Sequence, residues 1–425
     1  MDSHDAIVGA QLRAARDAAG VPLSEVAAQL LRGKSSIAYY ETGRSPAPAD
    51  VIAWYQQRFG DIQDPVATLL NLGKADVERR TFLHVGYSTA LSASALLPGW
   101  LRKSAPSTAI KMASIQRVGE DDVAAARDVM SVFSRLDQKL GGGHGRRAVA
   151  QYLTDEIAGY LNATFTNDTV KRDMFSAAGE LAYLAGWMAF DNDEHAVAQH
   201  YFLASTQLST EAADDSLTGH ILRAMAHQAV DLGHLDQGLQ LAEASVSGNR
   251  YQAACPRERA LLKVVHAKAL SAAGQPRESA KALIEAENNL SAASATDDEP
   301  SRVFFFSEAS LAHETACALR DSGNLTGAAD QFKLSVEKRK AASFKRTHAV
   351  TLGYLGTVQA CRGELEQACA TWKSALGEMN TVRSGRTRKV ARDIRSTVAP
   401  YLRQGVEGIA EIDRWAENYL AANKT

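Results

Sequence analysis

From about residue 190 onward the chain returns again and again to a short turn. A small or acidic residue marks it at Asp193, Gly233, Gly274, Gly323 and Gly363, at intervals of 40, 41, 49 and 40 residues. Between these turns alanine and leucine recur at helical spacing, and no stretch sustains the alternation of a strand. A period of this length is that of helical hairpins stacked into a solenoid, each unit burying its apolar face against its neighbours. Three turns are followed five residues later by alanine (Ala198, Ala328, Ala368) and four residues after that by a large aromatic (Phe202, Phe332, Trp372). Small residues let paired helices approach, and the aromatics fill the gap to the next hairpin. The second and third units depart from this: Gly238 replaces the alanine after Gly233, and Ala280 comes six residues after Gly274.

The N-terminal segment carries another pattern. Ile7 to Ala19 has apolar residues at Ile7, Val8, Leu12, Ala15 and Ala19 and ends at Gly20, and a shorter helix from Leu23 to Leu31 follows Pro22. Ser35 and Ser36 open a third helix, Ile37 and Tyr40 face a core, and Gly43 closes it. Lys34, Ser35, Ala38 and Tyr39 are left on the outer face. Three short helices joined by tight turns suit a unit whose third helix enters a DNA major groove while the second crosses the backbone.

Leu12, Arg13, Arg16, Gly20, Glu25, Val26 and Ala27, then Ser36, Ile37, Glu41, Gly43, Arg44 and Pro46, resemble the phage-repressor type of helix-turn-helix, the xenobiotic-response-element family. The resemblance covers residues 5 to about 72 and implies a five-helix DNA-binding domain. It implies a buried ion pair between Arg16 and Glu41, which locks helix orientation more than it adds stability. It also implies that Lys34, Ser35 and Tyr39 face base edges while Ser36, Thr42 and Arg44 face phosphates. Two positions depart from the family: Leu23 stands where a phosphate-holding glutamine is usual, and Arg32 where a small apolar residue is usual. Residues 1–72 hold six cations against eight carboxylates, a net of −2, so a single copy is expected to hold DNA weakly.

The repeats resemble the tetratricopeptide repeat, whose first helix carries a Leu-Gly pair before its turn. Ala185-Gly186 and Leu355-Gly356 fit that place, and Ala375 fits the late small residue. The implied architecture is all-α, the helix-turn-helix domain followed by a tetratricopeptide-like right-handed helical solenoid, with helices longer than in the usual repeat of about 34 residues. Together with the segment Val118 to Leu161 and the RRTFL run ending at Leu83, the chain is similar to helix-turn-helix plus tetratricopeptide regulators of filamentous actinobacteria. In overall plan it is similar to Gram-positive quorum-sensing regulators that bind signalling peptides. A cytoplasmic, dimeric transcription regulator on a two-fold DNA operator is implied, with a signalling peptide or other small ligand in the repeat groove. The first helices of the hairpins line the concave side, and their outward residues are Tyr183, Trp187, His220, Arg223, His227, Lys268, His313 and Arg320. Aromatic and cationic side chains together suit an extended peptide with a carboxylate.

The expected layout is a helix-turn-helix domain over residues 1–72, a linker over 73–117, a helical connector over 118–170, repeats over 171–382 and capping helices over 383–425. Glu78 to Leu83 imitates a twin-arginine export signal, but its place behind a folded domain argues for a linker, broken by Pro98 and Pro106. Gly141-Gly142-Gly143-His144 lacks the strand and lysine of a phosphate cradle and reads as a hinge between helices. Asp297-Asp298-Glu299-Pro300 reads as a surface loop. Arg383, Arg386, Arg388, Lys389, Arg392 and Arg395 crowd one segment, open to DNA, to an acidic peptide or to plain solvation. From Val398 to Leu420, the apolar residues Leu402, Val406, Ile409, Ile412 and Trp415 read as a capping helix or a dimer contact.

Composition excludes several classes. A net charge of −2 gives no general attraction to polyanions or membranes, and no apolar run reaches about eighteen residues. Cys255, Cys317, Cys361 and Cys369 form no CxxC, so neither a disulfide frame nor a metal is expected. His220, His227 and His234 recur every seven residues, about 10 Å along a helix, too far apart to share an ion. No nucleophile elbow, phosphate loop or cofactor motif stands out, and the chain is not expected to be an enzyme. The competing expectation is a protein-interaction scaffold whose helix-turn-helix does not bind DNA.

Overall fold

The computed structural model describes residues 12–13, 15–17, 21–42, 44–45, 47–48, 51, 54–55, 58, 65–78, 87–89, 92, 94–96, 117–294, 299–404 and 408–423. The RRTFL run, Val85, Pro98, Pro106, Gly43, Pro46, Asp297, Asp298 and Val406 lie outside them. In the N-terminal unit, α1 (Leu23–Gln29) and α2 (Lys34–Glu41) follow helical residues at Leu12 and Arg16. Leu12, Val26, Ile37, Val51 and Tyr55 make a core of their own.

Helix α3 (Pro65–Glu78) sends its apolar side to the other core, which Val66, Leu69 and Leu72 join. The expected boundary at 72/73 falls inside this helix, whose buried face continues past it through Gly73 and Asp76. Asp76 pairs with Arg146 at 2.9 Å, and Arg146 also meets Glu194 at 2.6 Å. Further on, β1 (Arg117–Val118) pairs in parallel with β2 (Thr164–Phe165). Between them lie α4 (Glu120–Leu140), α5 (Gly142–Tyr152), a π turn at Leu153–Ile157 and α6 (Ala158–Leu161).

A row of helical hairpins follows. It pairs α7 (Asp168–Asp191) with α8 (His195–Glu211), and α9 (Asp215–Asp231) with α10 (Leu235–Ser245). After the short α11 (Asn249–Gln252), α12 (Pro256–Ala272) pairs with α13 (Pro276–Ala292) and α14 (Glu308–Asp321) with α15 (Leu325–Lys338). The last hairpin is α16 (Lys345–Cys361) with α17 (Leu365–Met379), closed off by α18 (Gly385–Val398) and α19 (Ile409–Ala422). Ile409, Ile412 and Tyr419 of α19 pack into one core with Trp372 and Met379.

Each hairpin turns at the residue the periodicity marks. Asp193, Gly233, Gly274, Gly323 and Gly363 have φ of 68, 82, 75, 84 and 83°, a left-handed turn that glycine takes without strain and aspartate tolerates. A Cβ on Gly186 would stand 2.8 Å from the Phe202 ring, and one on Gly356 2.5 Å from Trp372, so each aromatic occupies the space a side chain would need. Phe202, Phe332 and Trp372 are fully buried, each contributing about 1.5–3 kcal/mol of hydrophobic stabilisation. In the third unit the inward small residue is Ser279, five after the turn as elsewhere, while Ala280 is exposed. The Ser279 hydroxyl donates to Ala267 O at 2.8 Å, which lets a polar residue fill an alanine position.

The array closes on itself, which the sequence did not announce. Helix α4 packs on α16, and α7 on α18, so the first and last hairpins touch. Arg346 Nη1 donates to Asp137 Oδ2 at 2.7 Å, and its Nε lies 3.5 Å from Asp191. The Arg383 amide donates to Leu140 O at 2.8 Å, and the Gly143 amide donates to Arg383 O at 3.1 Å. Gly141 (φ 87°) sits against the Arg383 carbonyl, so the glycine run seals a seam instead of leaving a loose hinge. The cationic segment divides its work: Arg388 Nη2 donates to Asn192 O across the same seam at 3.0 Å, while Arg395 ties α18 to α19 through Asp413 at 2.9 Å.

Candidate functional site

Two places gather the residues singled out above, one at each end of the chain's organisation. In the N-terminal unit Pro22 precedes α1 and Gly33 caps α2, so α2 begins at Lys34, one residue ahead of the serines. Ile37 is fully buried beneath it, Tyr40 is half-buried, and Lys34, Ser35, Tyr39, Thr42 and Arg44 are exposed, with Ser36 half-buried. Arg44 lies 6.0 Å from the Tyr39 ring, and the Thr42 hydroxyl donates to Ala38 O at 2.7 Å. Leu23 packs against the core and offers no donor, while Arg32 Nη1 reaches the Tyr40 hydroxyl at 3.4 Å.

Arg16 and Glu41 meet face to face. Nε and Nη2 of Arg16 donate to the two carboxylate oxygens at 2.6 and 2.8 Å, a bidentate pair that fixes α2 against the first helical residues. The hydrogen bond to Glu41 raises the Arg16 pKa further above its ordinary value. Sequence reasoning missed the third member: the buried Tyr55 hydroxyl donates to Glu41 Oε1 at 2.7 Å. Burial, then Glu41, pushes the Tyr55 pKa up, so it remains a donor. Its only sequence signal is the aromatic pair Trp54-Tyr55 near the end of the unit.

Residues 7–54 match the helix-turn-helix domain family. This domain is the module of DNA-binding regulators, and the match is confined to it. No curated protein and no solved structure matches the chain. Among the described residues no helix is long and apolar enough to cross a membrane, and no His, Cys, Asp and Glu cluster is arranged to hold a metal ion.

Behind the helix-turn-helix domain, the eight residues expected on an open concave face lie inside the closed array. Tyr183, His220, Arg223, His227, Lys268 and His313 are buried, and Trp187 and Arg320 are half-buried. Two features enclose that face: closure brings Gln138 of α4 and Arg386 of α18 to it, and the segment from Arg302 to Phe306 reaches in to Glu180 and Glu258. Arg223 Nη2 donates to the Tyr183 hydroxyl at 2.8 Å and to His220 Nε2 at 2.8 Å, and its guanidinium lies 5.4 Å from the Trp187 ring. His220 Nδ1 then donates to Glu258 Oε1 at 2.9 Å, which fixes a neutral tautomer. Burial, reinforced by Arg223, brings the His220 pKa down to about 3. Burial opposes ionisation of Glu258, but Arg302 at 2.8 Å overcomes it and holds that carboxyl at about 2.

The second group centres on Lys268, whose Nζ lies 2.8 Å from Asp231 and 3.0 Å from His227 Nε2. Burial and then Lys268 lower the His227 pKa. His313 Nδ1 contacts the Thr351 hydroxyl at 2.8 Å, and burial brings its pKa down to about 3. His220, His227 and His234 do not converge; His234 stacks on Tyr87 with ring centres 5.1 Å apart. Arg320 pairs with Asp321 at 2.8 Å and covers the Tyr354 ring at 5.1 Å.

Two adjoining cavities open among these side chains. One of about 50 Å³ is bounded by Trp187, Arg223, His227, His313, Arg339 and Arg386, and one of about 100 Å³ by Lys268, His313, Glu314, Arg320, Tyr354 and Arg386. Arg339, Arg386 and Glu314 were not among the sequence candidates; Arg386 was seen only as part of a charged run.

Proposed function

We propose that this protein is a sequence-specific transcription regulator that works as a dimer on a two-fold operator, and that its tetratricopeptide-like array senses a peptide or other small ligand and alters operator binding. The observation that carries the reading is α2: exposed Lys34, Ser35 and Tyr39 on a helix whose orientation the Arg16–Glu41 pair and Tyr55 fix, with exposed Arg44 just past its end. Lys34 is assigned to a guanine edge, Ser35 and Tyr39 to base edges, and Ser36, Thr42 and Arg44 to phosphates. With a net charge of −2 on residues 1–72 and Leu23 turned into the core, one copy has little phosphate grip, and a second copy supplies the rest.

Coupling between domain and array rests on the segment that joins them. Helix α3 is held through Asp76 to Arg146, and the Tyr201 hydroxyl lies 3.2 Å from Asp76. Beyond it the Tyr87 hydroxyl donates to Gln237 at 2.9 Å and the Ser88 amide donates to the buried Gln199 at 3.1 Å. A shift of α8 or α10 on ligand binding therefore acts directly on the segment that leads to the reading helix. A gel shift with DNA from upstream of the protein's own coding region tests the reading. Retention at low salt, weakened by Lys34→Ala, is the expected result; no retained band, or K34A equal to wild type, refutes it and leaves the interaction scaffold.

A further inference from the structure

The smaller cavity is unusually rich in cations that have no counter-ion. Arg223 and Arg339 are 2% and 8% exposed, and among the described residues neither has a carboxylate within ion-pair distance. Nε of each has no partner at all. Arg339 spends Nη2 on Ala309 O at 2.8 Å and on the Ser335 hydroxyl at 3.2 Å, both neutral acceptors. Arg386 reaches into the same space, and its one hydrogen bond in the cluster is to His227 Nε2 at 3.4 Å. Arg346 also lines the wall, but Asp137 and Asp191 answer its charge. The acid that faces the space is Glu314, whose Oε2 has no hydrogen bond. Buried guanidinium groups are ordinarily paired, because taking a charge out of water without a partner is costly. Burial pulls the Arg339 pKa down to about 10, an effect that Glu314 opposes without cancelling and that Arg346 reinforces.

We propose that this cavity is the binding site of a small oxyanion, a phosphate- or carboxylate-bearing molecule held by Arg223, Arg339 and Arg386, with Glu314 accepting a hydrogen bond from a donor elsewhere on the same molecule. Planar guanidinium forks converging on one space match phosphate and carboxylate geometry. Trp187, Phe305 and Phe306 give the rest of the wall an apolar surface for the body of the ligand. About 50 Å³, sharing His313, Glu314 and Arg386 as wall residues with the neighbouring 100 Å³, suits a compact anion and not an extended peptide. The proposal rests on the reading of the array as a ligand sensor and narrows its ligand class.

The full-length protein is titrated with inorganic phosphate and with malonate, at ionic strength matched with sodium chloride, while the thermal midpoint and the heat of binding are followed. A saturable rise in midpoint of several degrees with phosphate alone assigns a phosphate ligand, and with malonate alone a carboxylate ligand. Arg339→Met removes an unpaired buried cation, so it keeps or raises the ligand-free midpoint while abolishing the response. Arg223→Lys keeps the charge but loses the fork, and the anion affinity falls at least tenfold. No saturable response to either anion, or a response that survives unchanged in both variants, overturns the site. Because these readouts need no DNA, their failure is separable from that of the regulator reading. Saturable binding that leaves gel-shift retention unchanged keeps the site and refutes its link to DNA.

Discussion

Arg346 is where closure of the array can be tested most sharply. Its guanidinium, 2% exposed, stands between Asp137 and Asp191, which are 2% and 0% exposed. One cation thus serves two buried carboxylates, and burial together with Asp191 lifts the Asp137 pKa to about 6 despite the 2.7 Å contact with Arg346. Arg346→Met keeps the volume of the stem and deletes the charge. Removing one partner of a buried pair costs about 3–5 kcal/mol, because the other is left charged and dry. Asp137 then binds a proton in the native state at a pH where the unfolded chain, with an ordinary carboxyl, does not. The deficit therefore shrinks on acidification from pH 8 to pH 6, by up to about 1.4 kcal/mol per pH unit for the single proton involved. Urea unfolding of wild type and variant at pH 8, 7 and 6 measures this. Asp137→Asn in the Arg346→Met background should recover much of the loss at pH 8. A deficit below about 1 kcal/mol that does not change with pH would falsify the account.

Further tests follow from the packing and the titrating groups. Gly356→Ala drives a methyl into Trp372 and is expected to cost about 1–3 kcal/mol by overpacking, read by chemical denaturation, whereas Ala280→Ser on the exposed face of the third unit should be neutral. His220 and His313, with folded pKa values of about 3, must stay neutral to remain buried. The unfolded chain protonates them below its ordinary value near 6.5, so their stabilisation is complete above that pH and is lost as pH falls toward 3. Asp76, Asp137, Glu180 and Asp393, held above their ordinary values, work the other way, but they are outnumbered by the histidines held below theirs, His195, His227, His266 and His348 besides His220 and His313; urea midpoints that fail to fall between pH 7 and pH 5 would contradict this. Tyr55→Phe removes one hydrogen bond from Glu41 and should lower the stability of the N-terminal unit by about 0.5–1.5 kcal/mol, with weaker gel-shift retention as the sign that the pair orients α2.

The hairpins were legible because their signals are local. A left-handed turn needs glycine or a tolerant acid, a close helix pair needs a small residue, and both needs recur within one unit at Gly323 with Ala328 and at Gly363 with Ala368. Arg16 and Glu41 were readable because the helix-turn-helix resemblance supplied their partnership, while Tyr55 carries no period that links it to them. Closure was not readable at all. Arg346 and Asp137 are 209 residues apart, and a helical wheel records only which residues share a face, not which distant helix covers that face. For the same reason the polar stripe of Tyr183, Arg223 and Lys268 looked like a wet surface, when Arg223 is met inside by the Tyr183 hydroxyl and Lys268 by Asp231, each on another hairpin. The unpaired state of Arg223 and Arg339 is visible only once every neighbour has a position.

A solenoid that joins its ends gives up the independence of its units in time as well as in space. An open array can settle hairpin by hairpin as it leaves the ribosome, since each needs only the one before it. Here the connector beginning at Glu120 finds its partners at Arg346 and Arg383, and Asn192 of the first hairpin finds Arg388, only when nearly the whole chain has been made. Until then α4 and α7 expose faces meant for α16 and α18, and contacts of such long sequence separation form slowly. A chain cut short before Gly385 would therefore leave its beginning unfinished as well as its end.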